Sequence, residues 1–276
     1  MNSPYTCRKY RCIVITDLDG SLLDRETYSY EAALPVIEYL KNNGIPIVFC
    51  SSKTRVEQEY FRKRLGIDDP FIVENGAAIY IPRGYFGISV SEARDLGEYL
   101  VIELGIPIEK LLDTSRDLIR KYEGRVKWVH EMSAEEVMEI TGLPRDQAIL
   151  AKQREYSLAF YPLDKNVIEP LSKDLVKKGL IASTGGGKLY LVTGRHDKGV
   201  AVSKLVDLYK RLYPQVYTIG IGDNLNDIPM LKNVDQPIVL DNKIDPREHG
   251  LPSNTIVIDI DGSRGWRKAI GKIFHI

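Results

Sequence analysis

The sequence predicts an α/β protein with a Rossmann-like parallel-sheet core and an inserted α+β domain. Three observations carry that expectation. Short β-branched runs alternate with amphipathic helical stretches before residue 80 and again after 198, the pattern of strand–helix–strand units. Between about Pro82 and Val192 the rhythm changes to several helices with few strands. The predicted strands also stop at polar turns, and ligands of open parallel sheets bind outside such carboxyl ends. The expected core is therefore 1–83 together with 194–276, and the insertion is 84–193.

The elements follow in order. Cys12–Thr16 reads as a short buried strand ending at Asp17-Leu18-Asp19-Gly20. Ser29 can cap a helix whose apolar stripe runs through Ala33, Ile37 and Leu40, with Asn43-Gly44 as its stop. Ile45–Cys50 is a strand, Arg55–Leu65 a helix ended by Gly66, and Phe71–Val73 a strand closed by the turn Glu74-Asn75-Gly76. Inside the insertion, Ser133-Ala134-Glu135-Glu136 has the pattern of a capping box. After it, Lys198–Leu212 reads as a helix, Tyr217–Ile221 as a strand ending at Gly222-Asp223, and Ile238–Leu240 as another strand. Pro82-Arg83-Gly84 and Gly194-Arg195-His196 are the expected crossings between domains.

Composition narrows the function classes. The 276 residues have 43% hydrophobic and 28% charged side chains, ordinary for a folded protein. Lys plus Arg and Asp plus Glu each total 38, so no global field favours nucleic acid, and any phosphate binding must be local. Ile13-Val14-Ile15 is too short for a signal peptide or membrane span, which predicts a cytoplasmic protein without a membrane partner. Cys7, Cys12 and Cys50 show no metal-site spacing or disulfide framework and are expected to pack as small apolar residues.

The chemistry should lie where three strand ends bring Asp17 and Asp19, Ser51, and Asp223 with Asp227 together. Converging carboxylates repel unless a proton or cation intervenes. Mg²⁺, hard and oxygen-seeking, meets that need and can also clamp a phosphate oxygen. Taken singly, a DxD is usually a solvated turn, Ser51 a helix cap, Lys198 a surface charge and Gly222–Asp227 an Asn/Asp turn.

In this order, Asp17-Leu18-Asp19-Gly20-Ser21-Leu22-Leu23, Ser51, Lys198 and Gly222-Asp223-Asn224-Leu225-Asn226-Asp227 resemble the four motifs of the haloacid-dehalogenase superfamily of phosphotransferases. The resemblance implies that Asp17 is the nucleophile and that Asp19 is the general acid and base. Ser51 and Lys198 would hold the phosphoryl oxygens. Mg²⁺ would be bound by Asp17, the Asp19 carbonyl and Asp223, while Asn226 and Asp227 would orient the metal's waters or Lys198.

The insertion resembles the larger, C2-type cap of sugar phosphatases. Cys50-Ser51-Ser52-Lys53-Thr54-Arg55, Pro70–Ile79, Ile81-Pro82, Thr141-Gly142-Leu143, Ala151–Ser157 and Gly185-Gly186-Gly187-Lys188 resemble the mannosyl-3-phosphoglycerate phosphatases. That likeness implies a substrate with a phosphate, a glycerate carboxylate and a sugar. Ser52, Lys53, Arg154, Thr184, Gly185, Gly186, Gly187 and Lys188 are the candidate substrate contacts, with Arg154 able to fork onto a carboxylate and the glycine amides to approach an anion. The chain departs from the family at Leu158-Ala159, where Glu-Pro is usual, which bears on the identity of the hexose. His196, near a domain crossing, is a further candidate contact.

Alternatives within the class are glucosyl-3-phosphoglycerate, trehalose phosphate, sucrose phosphate or a nucleotide. A P-loop reading of Gly185–Lys188 fails, because Ala182 stands where the first glycine is needed. A catalytically dead binding protein would lack one of the acidic or basic motif residues, and none is missing.

Overall fold

The computed structural model describes residues 10–184, 188–241 and 244–276. Strand β1, Arg11–Thr16, sends alternate side chains into two cores. Ile13 and Ile15 pack with Val48, Val239 and Leu205, while Val14 packs with Phe49, Ile219 and Trp266. Burial on both faces is what a parallel sheet between helical layers requires.

The helix expected behind Ser29 starts later. Residues Glu31–Ala33 form a 3-10 turn whose Glu31 N–H donates to Ser29 Oγ at 3.3 Å, and α1, Leu34–Asn42, follows with no side-chain cap. Pro35, in its first turn, has no N–H to leave unpaired. Next come β2, Ile47–Phe49, and α2, Arg55–Leu65, which has a Thr54/Glu57 capping box and ends at Gly66. Beyond β3, Phe71–Val73, lies β4, Ala78–Pro82.

Strands β5, Arg94–Asp95, and β6, Tyr99–Glu103, join an antiparallel sheet of order β3-β4-β6-β5. Residues 94–103 were read with the insertion, yet they pair in a sheet that adjoins the core through a parallel bridge between Cys50 and Ile72. Strand partners are non-local, and local periodicity does not report them.

The cap is a four-stranded antiparallel sheet, β7-β8-β10-β9, with helices on both faces. Its elements in chain order are α3 (Ile108–Lys121), β7 (Val126–Trp128), α4 (Ala134–Thr141), α5 (Arg145–Ala151), β8 (Leu158–Pro162), α6 (Ile168–Lys177), β9 (Ile181–Thr184) and β10 (Tyr190–Thr193). Leu158, Phe160 and Val192 face α3 and α6; Ala159 and Leu191 face α4 and α5. Leu158 is thus buried among apolar side chains. The expected capping box is present, with Glu136 N–H donating to Ser133 Oγ at 3.1 Å and Ser133 N–H to Glu136 Oε2 at 2.9 Å.

The core resumes with α7, Lys198–Leu212, and β11, Val216–Gly222, then α8 (Ile228–Leu231), β12 (Gln236–Leu240), β13 (Ile256–Ile258) and α9 (Gly262–Phe274). Its parallel sheet has the order β13-β12-β11-β1-β2. The carboxyl ends of β1, β2 and β11 therefore lie side by side, carrying Asp17, Ser51 and Asp223. Among the described residues no helix is long and apolar enough to cross a membrane. Cys50 is a buried free thiol that packs among apolar side chains as expected; Cys12 is buried too but is disulfide-bonded, which corrects the expectation of no disulfide, and Cys7 lies outside the described residues.

Candidate active site

The loop after β1 is anchored from below. Leu18, Leu22 and Leu23 are fully buried, and Asp17 N–H extends the parallel ladder by donating to the Ile221 carbonyl at 2.9 Å. Gly20 has φ +82°, and a Cβ there would lie 2.5 Å from Asp223 Oδ2, so glycine is required both by conformation and by close approach. The chain can then turn within hydrogen-bonding distance of the β11 end, where Ser21 Oγ donates to Asp223 Oδ1 at 2.7 Å.

Lys198 opens α7 behind the cap residue Asp197, whose Oδ1 accepts from Val200 N–H at 2.9 Å. Its ammonium has no solvent exposure and donates to Asp17 Oδ1 and to Asp227 Oδ1, each at 2.6 Å. Burial alone would lower its pKa, but Asp17 and Asp227 outweigh that and raise it, so the lysine stays charged. Asp227 Oδ2 accepts the backbone N–H groups of Asp223 and Asn224, both at 3.0 Å. Asp227 is thereby a brace between Lys198 and the β11 turn.

Carboxylate oxygens of Asp17, Asp223 and Asp227 lie within 4.8 Å of one another. Burial, then the charges of Asp17 and Asp227, push the Asp223 carboxyl up to about 8. Burial pushes Asp227 up to about 6 against the pull of Lys198. Three buried carboxylates around one lysine leave an excess of negative charge, and the Arg25 guanidinium reaches in to pair with Asp223. An oxygen-only donor set with that excess suits Mg²⁺. Of the four residues predicted at the metal, the Asp19 side chain stands apart from this cluster: Lys53 Nζ approaches its Oδ1 at 3.0 Å. Burial raises the Asp19 pKa while Lys53 pulls it down.

Above these residues is a cavity of about 310 Å³ between core and cap. Asp19, Lys53 and Arg25 line its floor, Arg154 and Lys188 its side, and Leu143, Leu189 and Leu191 an apolar wall. Lys53 is buried between Asp19 and Glu57 Oε1, the latter at 3.5 Å, and lies over the Tyr28 ring. Ser51 is fully buried at the β2 end, and its hydroxyl accepts from Lys53 N–H at 3.4 Å. Ser52, also at the cavity, offers its carbonyl to Arg154 Nη2 at 2.7 Å.

Not every candidate meets there. Thr184 is an exposed strand end and is not among the described lining residues, and Gly185, Gly186 and Gly187 lie outside the described residues. His196 is partly buried beneath the domain crossing, with Nε2 3.3 Å from the Glu74 carbonyl. Sequence reasoning missed Arg25 and Tyr28, which line the cavity, and Glu74, which stands behind Arg154 outside it. Glu74 had a visible signal, a charged residue opening a turn behind a wholly apolar strand.

A family model for haloacid dehalogenase-like hydrolases matches residues 14–249. The chain belongs to the haloacid dehalogenase-like hydrolase family. Among curated relatives, this hydrolase is 37% identical over 266 residues to "Glucosyl-3-phosphoglycerate/mannosyl-3-phosphoglycerate phosphatase" of Persephonella marina, covering 95% of this chain and 97% of that one. It is 43% identical over 223 residues to "Mannosyl-3-phosphoglycerate phosphatase" of Pyrococcus furiosus, covering 81% and 88%. Among solved structures, a haloacid dehalogenase-like hydrolase from Bacteroides thetaiotaomicron superposes with a TM-score of 0.69 at 16% identity, covering 96% of this chain and all (100%) of that chain. At that identity the likeness speaks for the fold alone.

Proposed function

We propose that this hydrolase removes the phosphate from mannosyl-3-phosphoglycerate, and from its glucosyl counterpart, to give the hexosylglycerate. The observation that carries the reading is the cavity that joins Asp19 to the cations of Arg154 and Lys188, in a chain aligned almost end to end with relatives named for those substrates. A phosphate reaching past Asp19 to Asp17 and a carboxylate near Arg154 would place both anionic groups against it, and the apolar wall suits a sugar face.

In this mechanism Asp17 attacks phosphorus in line, the bond to the glycerate oxygen breaks, and an aspartyl-phosphate forms. Asp19 donates the proton that the leaving alkoxide needs, then takes one from the water that attacks phosphorus and frees Asp17. Lys198 and Ser51 hold phosphoryl oxygens, and Asp227 keeps Lys198 in place. Asp17, Asp223 and the Asp19 carbonyl would hold Mg²⁺, which supplies neutralising charge at the phosphoryl group. Lys53 sits against Asp19 on the cavity floor and, with Ser52, Arg154, Thr184, Gly185, Gly186, Gly187 and Lys188, would contact the substrate.

Residues 1–83 and 194–276 form the catalytic body in this reading, and residues 84–193, which carry the β7–β10 sheet and its helices, form the specificity cap. The substrate bears two anionic groups and would not cross a membrane unaided, which favours a cytoplasmic enzyme. The test is phosphate release from mannosyl-3-phosphoglycerate, glucosyl-3-phosphoglycerate, free 3-phosphoglycerate, trehalose phosphate and sucrose phosphate. The two hexosyl-phosphoglycerates should have the highest kcat/KM. A preference for the free acid or for a disaccharide phosphate would overturn the assignment.

A further inference from the structure

The turn Glu74-Asn75-Gly76 does more than end β3. All three residues have positive φ, 47°, 61° and 95°, and two of them are not glycine. Such backbone persists only where the surroundings over-determine it. They do so here: Glu74 N–H donates to the Lys53 carbonyl at 3.1 Å and Asn75 N–H to the Ser51 carbonyl at 3.0 Å. Asn226 Nδ2 donates to Asn75 Oδ1 at 3.2 Å, and a Cβ on Gly76 would strike the Asp197 carbonyl. The turn thus touches the segments that carry Ser51, Lys198 and Asp223.

This rigid turn holds the Glu74 carboxylate, with no solvent exposure, beneath the cap segment that leads into β8. Its Oε1 accepts Glu155 N–H at 2.7 Å; its Oε2 accepts Tyr156 N–H at 3.2 Å and the Ser157 hydroxyl, and lies 3.5 Å from Arg154 Nε. Arg154 in turn donates from Nε to Ser157 Oγ at 2.6 Å and from Nη2 to the Ser52 carbonyl. Two of the five guanidinium N–H groups are therefore committed to the protein, which leaves both on Nη1 and one on Nη2 for a ligand in the cavity. Burial raises the Glu74 pKa, and Arg154 first among its partners pulls it back.

We propose that Glu74 is a positioning residue for substrate selection: it aims Arg154 at the carboxylate of the substrate and keeps the 154–157 segment docked on the core. The proposal rests on the functional reading above, since it needs a ligand with a second anionic group. Three partners of Glu74 are N–H donors and the fourth is the Ser157 hydroxyl, so an amide at this position can keep at most one oxygen facing the N–H groups. Glu74→Gln therefore removes the charge that faces Arg154 Nε and loosens the hold on it. Ser157→Ala is milder, because it removes only the hydroxyl that bridges the pair.

The test is a double-mutant cycle of Glu74→Gln with Arg154→Ala, and of Ser157→Ala with Arg154→Ala. It is read on mannosyl-3-phosphoglycerate and on p-nitrophenyl phosphate, with thermal unfolding alongside. Loss of a charge-assisted contact predicts a KM for the sugar substrate about tenfold higher in Glu74→Gln, and about threefold higher in Ser157→Ala. In both, kcat and the aryl phosphate kinetics should change less than about twofold, and neither variant should add to the loss already caused by Arg154→Ala. If Glu74→Gln does not fold, the Ser157→Ala cycle alone decides. Additive losses, or equal losses on both substrates, overturn the proposal while the enzyme remains a sugar-glycerate phosphatase. A wild-type enzyme inactive on the sugar-glycerate overturns the functional reading, and this proposal with it.

Discussion

Replacing Lys198 with Met removes a charge from the most crowded electrostatic position in the protein while keeping most of the side-chain volume. The ammonium is wholly buried and holds Asp17 and Asp227 at 2.6 Å each, with Asp223 beside them. Removing one partner of a buried ion pair costs about 3 to 5 kcal/mol, because the remaining charge is left uncompensated. At about 2.1 cal/mol/K per residue, the unfolding entropy of 276 residues is roughly 0.6 kcal/mol/K. The expected loss in Tm is therefore about 5 to 9 °C. That figure belongs to metal-free protein at pH 8 or above.

The sign of the pH dependence follows from the raised carboxyls. Asp223 at about 8 and Asp227 at about 6 in the folded protein exceed their unfolded values near 3.9. Such groups contribute stability that is fully present below the unfolded value and is lost as pH rises through the folded one. At pH 5 they carry protons, and the missing lysine matters less. Thermal unfolding in EDTA should therefore show a Lys198→Met deficit that is small at pH 5 and grows toward pH 8. A deficit equal at both pH values, or none at either, would refute the electrostatic account of the cluster.

The same raised carboxyls predict that wild-type protein in EDTA loses Tm as pH rises from about 5 to 9, and that Mg²⁺ reverses the loss; activity should vanish with chelation and return with Mg²⁺. Calorimetry and phosphate release check the two halves, and full activity after exhaustive metal removal would contradict the metal site. Arg154→Ala should reduce kcat/KM for mannosyl-3-phosphoglycerate by one to two powers of ten, roughly 1.5 to 3 kcal/mol, with a far smaller effect on p-nitrophenyl phosphate. Equal loss on both would move Arg154 into the catalytic core or the fold. Asp19→Asn should slow alkyl phosphates by about 10² to 10⁴ yet spare a pre-steady-state burst of p-nitrophenol, since an aryl oxide needs little help to leave. Absence of that leaving-group dependence would remove Asp19 from its acid role.

Much of this arrangement is legible in the sequence because its determinants are local. The strand that ends at Asp17, the glycine at position 20 and the helix that opens at Lys198 are each encoded within a few residues. What stayed hidden depends on partners distant in the chain. Tyr99–Glu103 pairs with β4 across a long loop, and nothing in its own pattern names that partner. Glu74 reads as a turn residue until the fold brings residues 154–157 onto it. Lys53 lines the cavity, and its proximity to Asp19 and Glu57 arises only when the β1 loop and α2 meet. Ser29 looked like a helix cap because Ser favours that position; the chain instead uses a 3-10 turn to bring Pro35 into the helix start.

The proposed reaction requires Asp17 to accept the phosphoryl group from a hexosyl-phosphoglycerate. The direct measurement is rapid quench of the enzyme during turnover of mannosyl-3-phosphoglycerate with Mg²⁺, followed by borohydride reduction and peptide mass spectrometry. An acyl-phosphate on Asp17 is reduced to homoserine, so the predicted result is homoserine at position 17, formed only with substrate present and absent from Asp17→Asn. Phosphate found on Ser51 or any other residue, or no modified Asp17 under conditions of full turnover, would contradict it.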